Sequence, residues 1–264
     1  MKRIFNLVIL FLAAMMCATA QHPEETVVIL GDSNTWYGGD DCNGPRAWTK
    51  SFNEIYRPGA IRSYARSGAS WTNVTATVRN VEENTGRLGD NNVIYNQVER
   101  FSDALADGTQ PMPSLIIAMA GTNDAWFSSS RPGAFDTSVA EAMKSVPDSV
   151  LIDLQPSKVT SLALSIRQNI LRLRRLAPDA TIVLCSPIQC VPAPDNLIIA
   201  AGGIIEDTGR LTGCKVIRLD RDFELSSAAE AKKKVLTTDG THTSVEGASK
   251  LGAFIASHIE ALTR

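Results

Sequence analysis

The stretch from Thr26 to Thr35 reads Thr-Val-Val-Ile-Leu-Gly-Asp-Ser-Asn-Thr. It constrains the fold more than any other part of the chain. Val27, Val28, Ile29 and Leu30 form an unbroken apolar run rich in β-branched residues. A run without polar alternation suits a strand covered on both faces, as in a parallel sheet flanked by helices. Gly31 and Asp32 stop the run. Ser33 therefore falls at the strand's C-terminal end, where an open α/β sheet places its ligands. Taken alone, the serine of a Gly-Asp-Ser is an ordinary turn or capping residue. To serve as a nucleophile it needs a base and donors for an oxyanion.

The remainder of the chain repeats the same unit. Ala47 to Tyr56 suits a short helix ending before Pro58. Ile61 to Ala65 is a second strand, closed by the turn residues Ser67, Gly68 and Ser70. A polar stretch with a turn at Gly86 to Asp90 leads to a helix over Val93 to Ala106. Leu115 to Ala120 is the third strand and ends in Gly121-Thr122-Asn123-Asp124. Ala125 to Leu154 lacks a clean period and reads as an insertion beside that strand's end. A helix opening at Pro156 carries Val159, Leu162, Ile166, Ile170 and Leu173 at helical spacing, and Arg167, Arg172, Arg174 and Arg175 are expected on a solvated face. Thr181 to Cys185 and Lys215 to Leu219 are the fourth and fifth strands, separated by a helical region over Asn196 to Leu211. Ser244 can cap a last helix. Five strand-helix units predict an α/β fold with a parallel sheet, helices on both faces and right-handed crossovers. The ends of the first three strands then share one rim, which brings Ser33, Gly68 and Asn123 together.

With 264 residues, 44% of them hydrophobic, the chain is long enough for one domain with a sizeable core. Its first twenty residues stand apart. Lys2 and Arg3 precede a mostly apolar segment from Ile4 to Met16, and Ala18-Thr19-Ala20 forms an A-x-A site before Gln21. This pattern predicts a secretory signal over 1–20 and a mature domain over 21–264, exported to the periplasm or the medium. Lipid attachment at Cys17 is the weaker alternative, because Met16 is larger than the residue that usually precedes such a site. No other segment is apolar enough to cross a membrane. Loss of Lys2 and Arg3 moves the formal charge from −2 to −4. No basic run remains, which argues against a nucleic-acid partner. Cys42, Cys185, Cys190 and Cys214 stay in the mature chain. Cys185 and Cys214 are expected as buried thiols. If one disulfide forms, Cys42 with Cys190 is the expected pair, because both follow strands at the active rim. No Cys-x-x-Cys spacing is present and histidine is scarce, so a metal site is not expected.

The search for a base is short, since there are three histidines. His22 lies two residues past the cleavage site and is expected to be mobile. His258 shares a helical face with Leu251, Ile255 and Leu262. Sixteen helical residues separate it from His242, about 24 Å at the helical rise. His242 remains, in Asp239-Gly240-Thr241-His242-Thr243-Ser244. Asp239, three residues before it, is near enough on a tight turn to orient the imidazole. Asp-Gly by itself is merely a turn signal. Donors for an oxyanion are available from the Ser33 backbone N–H, from a loop opened by Gly68 and from the Asn123 amide.

Gly31-Asp32-Ser33-Asn34, Gly68, Gly121-Thr122-Asn123-Asp124 and Asp239-Gly240-Thr241-His242 together resemble the SGNH (GDSL-type) hydrolase superfamily. The blocks span nearly the whole mature chain. The resemblance implies a flavodoxin-like three-layer α/β/α sandwich and an ester hydrolase that needs no cofactor. Carried over, Ser33 is the nucleophile, His242 the base, Asp239 its orienting acid, and Ser33, Gly68 and Asn123 the oxyanion donors. The residue after Gly-Asp-Ser is usually leucine or another apolar residue in that family. Here it is Asn34, whose side chain is not among the named catalytic groups. Ordinary α/β-hydrolases differ: they carry G-x-S-x-G and an acid far from the histidine.

Relatives of this kind include carbohydrate O-acetylesterases, lipases, thioesterases and arylesterases. Trp36, Trp71 and Trp126 each follow a candidate catalytic position by three residues. They are expected to line the rim as a substrate platform, or else to pack the loops. Asp40, Asp41 and Asn43 add polar groups that suit a hydroxyl-rich substrate. The first expectation is a carbohydrate O-acetylesterase. The alternatives are a lipid or aryl esterase or a thioesterase of the same mechanism, or a glycan-binding relative without catalysis. The sequence leaves oligomeric state open.

Overall fold

The computed structural model describes residues 22–82 and 88–263. The signal segment, Cys17 and part of the turn expected at Gly86 to Asp90 lie outside these residues. Five strands form one sheet: β1 (His22–Gly31), β2 (Pro58–Ser63), β3 (Leu115–Met119), β4 (Thr181–Cys185) and β5 (Lys215–Ile217). Their order is β2-β1-β3-β4-β5, with every pairing parallel. This is the flavodoxin-like order. After β2 the chain passes back over β1 to reach β3, so the topological switch lies between β1 and β3, the expected place for a ligand crevice.

Alternation along each strand divides the core into two layers. Val28 and Leu30 of β1 share one face with Ile116 and Ala118 of β3 and Ile182 and Leu184 of β4. Helices α3 (Ile94–Ala106), α5 (Leu162–Leu176) and α6 (Asp195–Leu211) cover that face with Val98, Phe101, Ile166, Ile170 and Ile205. Val27, Ile29, Ile117 and Val183 face the other way. There, α2 (Trp48–Tyr56) presents Trp48, Phe52 and Tyr56, and the C-terminal α7 (Val245–Thr263) presents Leu251, Ile255 and Ile259. Both sets recur every fourth residue, which keeps each on a single helix face. The three-layer α/β/α sandwich is the expected architecture. Two very short helices complete the rim: α1 (Ser33–Trp36) follows β1, and α4 (Thr122–Trp126) follows β3.

Several local expectations need correction. The second strand runs over Pro58–Ser63, not Ile61 to Ala65. The helix expected from Pro156 begins at Leu162, because Ser161 caps it by accepting the Leu164 N–H; Pro156–Lys158 forms a separate tight turn. Two of the four arginines on that helix are buried. Arg167 donates from Nε to Asp148 (3.0 Å) and from Nη1 to the Ala142 carbonyl (2.7 Å). Arg172 pairs with Glu99 and lies over the Tyr95 ring. They anchor the insertion and α3, so the solvated face expected for all four keeps only Arg174 and Arg175, half-buried and exposed respectively. His22 is not mobile either. It opens β1, stacks on Tyr56 at 4.0 Å and bonds to Glu25 (3.1 Å) and Glu260 (2.7 Å). Tyr56 and Glu260, both distant in sequence, tie down the start of β1. Among the described residues no helix is long and apolar enough to cross a membrane.

Candidate active site

The rim begins with the turn out of β1. Gly31 is required by close packing: a Cβ there would come within 2.5 Å of Thr35 Oγ1 and 2.8 Å of the Met119 carbonyl. Its backbone is gripped from α3. Gln97 Nε2 donates to the Gly31 carbonyl (2.8 Å) and Gln97 Oε1 accepts the Gly31 N–H (2.9 Å). Asp32 then caps α1, its side chain accepting the Asn34 N–H at 3.1 Å. Ser33 becomes the first residue of that turn, where no intrahelical carbonyl can reach its own N–H.

Ser33 Oγ lies 2.9 Å from His242 Nε2, and His242 Nδ1 lies 2.6 Å from Asp239 Oδ2. Asp239 Oδ1 also accepts the N–H groups of Thr241 (2.9 Å) and His242 (2.8 Å). One carboxylate therefore fixes both the ring and the turn that carries it. Partial burial works against ionisation of Asp239. The bonds from the His242 ring and from the two backbone N–H groups outweigh it and hold the carboxyl below its usual range. Ser33 is 7% exposed, whereas the Asp239 side chain is 51% exposed, so the hydrogen-bonded series runs from a sheltered hydroxyl out to a solvated acid. The edge of the Tyr37 ring packs against His242 at 5.1 Å, and Arg46 covers Tyr37.

Gly68 reaches the same rim on the loop after β2, and Asn123 in α4 after β3. Gly68 has φ +75, a left-handed conformation that costs glycine nothing. Asn123 Nδ2 donates to the Ala69 carbonyl at 2.9 Å, which ties the two segments together. Its amide carries a second hydrogen that can face a ligand.

Four supporting side chains were given no role by the sequence. Gln97 and Asn34 are two. The third, Asp124, is fully buried and accepts the N–H groups of Trp71 (3.0 Å) and Thr72 (2.8 Å). The fourth is Arg131, in the insertion, whose Nε donates to Ser70 Oγ (2.7 Å) and the Thr72 carbonyl (3.2 Å). No spacing rule exposes such residues, because their partners are mostly backbone groups of segments distant in sequence. Asp32 is fully buried as well. Desolvation pushes its carboxyl up to about 6, even though the Asn34 N–H bond pulls the other way.

The tryptophans divide. Trp36 and Trp126 are half-buried at the rim. Trp126 stacks on Phe127 at 4.9 Å and packs on a small apolar cluster of Ala125, Cys190, Ala193 and Ile198. Trp71 is 0% exposed and its Nε1 donates to the Ala120 carbonyl. It belongs to the core between α3 and the sheet and is not a platform residue. Its three-residue offset from Gly68 does not survive the turn, which points the ring inward. The expected disulfide is also absent. Cys42 and Cys190 are free and buried in different apolar clusters. Burial pushes their thiols up to about 12 and about 11, which keeps them protonated. Among the described residues no group of three or more His, Cys, Asp or Glu is placed to hold a metal ion.

Comparison with known proteins agrees with this architecture. The family model described as GDSL-like Lipase/Acylhydrolase matches residues 29–250. No curated protein matches the chain. Solved structures do. A protein from Chitinophaga pinensis DSM 2588 titled "a possible lipase" superposes with a TM-score of 0.58 at 16% identity, over 90% of this chain and 99% of that one. The acetyl xylan esterase AlAXEase does so with a TM-score of 0.52 at 16% identity, over 89% and 99%. The lipase/acylhydrolase from Enterococcus faecalis gives 0.50 at 14% identity, over 90% and 96%. At these identities the likeness is one of fold. The family match, spanning all four motif blocks, places the chain in the GDSL-like lipase/acylhydrolase family, as a carboxylic ester hydrolase.

Proposed function

We propose that the chain is a secreted serine esterase that removes acetyl groups from carbohydrates. The observation that carries the mechanism is the unbroken hydrogen-bond series from Ser33 Oγ through His242 to Asp239. Ser33 Oγ attacks the ester carbonyl carbon while His242 Nε2 takes the hydroxyl proton. Asp239 holds the imidazole in the tautomer with its proton on Nδ1 and stabilises the imidazolium as it forms. Negative charge developing on the carbonyl oxygen is met by the N–H groups of Ser33 and Gly68 and by the Asn123 amide. Collapse of the intermediate expels the alcohol, which takes its proton from His242. Water then repeats the sequence on the acyl-enzyme and frees Ser33.

The carbohydrate assignment is supported by the half-buried Trp36 and Trp126 at the rim and by the polar loop of Asp40, Asp41 and Asn43. A fold relative is an acetyl xylan esterase. One observation favours a second reading, a lipid or aryl esterase: the stacked, half-buried Trp126 and Phe127 at the rim present aromatic surface that suits a longer acyl or an aryl group. Acetate release from acetylated xylan and pectin, measured beside hydrolysis of p-nitrophenyl esters of rising chain length, separates the two. Acetate release that disappears in Ser33→Ala supports the proposal; activity confined to long-chain esters overturns it. The organisation is proposed as a signal over 1–20 and a hydrolase domain over 21–264. N-terminal sequencing of exported protein should begin at Gln21.

A further inference from the structure

We propose that Asn34 is a positioning residue that sets the distance between Ser33 and His242; this rests on the reading of His242 as the general base. Asn34 follows Ser33 directly in α1 and is fully buried. Its Nδ2 donates to the Thr241 carbonyl at 3.2 Å, and its Oδ1 accepts the Thr243 N–H at 3.1 Å. These are the residues immediately before and after His242. The carboxamide thus spans the backbone on either side of the base, using its donor and its acceptor at once.

The chemistry of the position requires such a side chain. Thr241 and Thr243 are 3% and 1% exposed, so water cannot readily replace the two bonds. An apolar residue would leave a buried carbonyl and a buried N–H unpaired. The remaining supports of the turn come from elsewhere. Asp239 and Thr238 bond within the same segment, and the Thr238 N–H donates to the His242 carbonyl at 2.8 Å. The Val191 N–H donates to the Gly240 carbonyl (2.8 Å), and Thr243 Oγ1 to the Arg46 carbonyl (2.7 Å). Of these anchors, Asn34 is the one on the same short helix as Ser33. It links the two reacting side chains by the shortest route, one residue on the serine side and one on each side of the histidine. Proton transfer from Ser33 needs heavy atoms within about 2.6–3.2 Å, and misplacement by about 1 Å is worth on the order of 10² in rate.

The test is a double-mutant cycle on the full chain with p-nitrophenyl acetate. Asn34→Leu removes both bonds. Asn34→Asp keeps the shape and the acceptor for Thr243 but turns an oxygen without a hydrogen toward the Thr241 carbonyl. Each is made alone and with His242→Ala. In the His242-containing chain both variants should lower kcat by about 10- to 100-fold with little change in KM. Neither should lower further the residual rate of the His242→Ala chain, because the effect passes through His242. Undiminished kcat in a folded Asn34 variant overturns the proposal. So does an equal proportional loss with and without His242, which would mark general damage to the fold. If Asn34→Leu does not fold, Asn34→Asp decides by the same comparison. Full turnover in His242→Ala would instead remove the base assignment itself.

Discussion

The carboxylate of Asp124 accepts the backbone N–H groups of both Trp71 and Thr72, one at each oxygen, at 3.0 and 2.8 Å. A side chain from α4, which follows β3, thereby fixes the loop after β2, which carries Gly68. The neighbouring Asn123 ties to Ala69 in the same loop. Two of the three proposed oxyanion donors are therefore held in register by consecutive residues. Asp124→Asn replaces one acceptor oxygen with an NH₂ group facing an N–H. We expect a loss of about 1–3 kcal/mol in urea unfolding. A fall in kcat of at least tenfold should accompany it, on the order of a donor displaced from the oxyanion. Unaltered kcat in the folded variant would show that the second loop needs no such tether.

Asn123→Ala removes a proposed donor as well as the Ala69 tether. The expected cost is about 10²–10³ in kcat with a much smaller change in KM, because the oxyanion exists only beyond the ground state. Ser33→Ala should abolish turnover by several orders of magnitude. Steady-state kinetics on p-nitrophenyl acetate decides both. Near-normal turnover in Ser33→Ala would exclude it as the nucleophile.

Asp32 gives the protein a pH-dependent weakness. Its folded carboxyl is raised from 3.8 to about 6 by burial, so between those values the folded state holds a proton that the unfolded chain has lost. Stability from this group is complete below about pH 4 and declines as pH rises through about 6. The rise corresponds to on the order of 3 kcal/mol at neutral pH. Asn in its place keeps an oxygen for the Asn34 N–H and has nothing to ionise. The stability difference between Asp32→Asn and the parent, from urea unfolding at intervals of pH 4–8, should therefore grow with pH and level off above 7. A difference that is flat across the range would contradict the raised carboxyl.

The two tryptophans should separate cleanly. Trp71→Ala empties a fully buried site and is expected to cost about 3–5 kcal/mol, lowering activity on all esters together with the folded fraction. Trp126→Ala lies at the rim. It should lower activity on an acetylated glycan far more than on p-nitrophenyl acetate, since stacking on a sugar positions an ester that the small substrate lacks. The kcat/KM for p-nitrophenyl esters should also drop steeply from acetate to octanoate. If octanoate is the better substrate, or Trp126→Ala lowers both activities equally, the lipid or aryl esterase reading takes over.

The sequence by itself determined the architecture and named the candidate reacting groups. The apolar run before Gly31 and its four counterparts define strands, and β-branched runs between helical segments permit little besides a parallel sheet. Three histidines left one candidate base, and its spacing from Asp239 is a local property of a tight turn. Strand and helix periodicity and short turns are set by neighbours in the chain, so they can be seen in it. What only the tertiary structure decided depends on which distant groups meet. Trp71 turned inward, Cys42 and Cys190 entered separate clusters, and His22 docked between Tyr56 and Glu260. Asn34, Gln97, Asp124 and Arg131 became supports because their partners are backbone N–H and carbonyl groups. Every residue carries such groups, so no pattern of side chains announces them. They acquire meaning only when folding buries them away from water and each must find a partner.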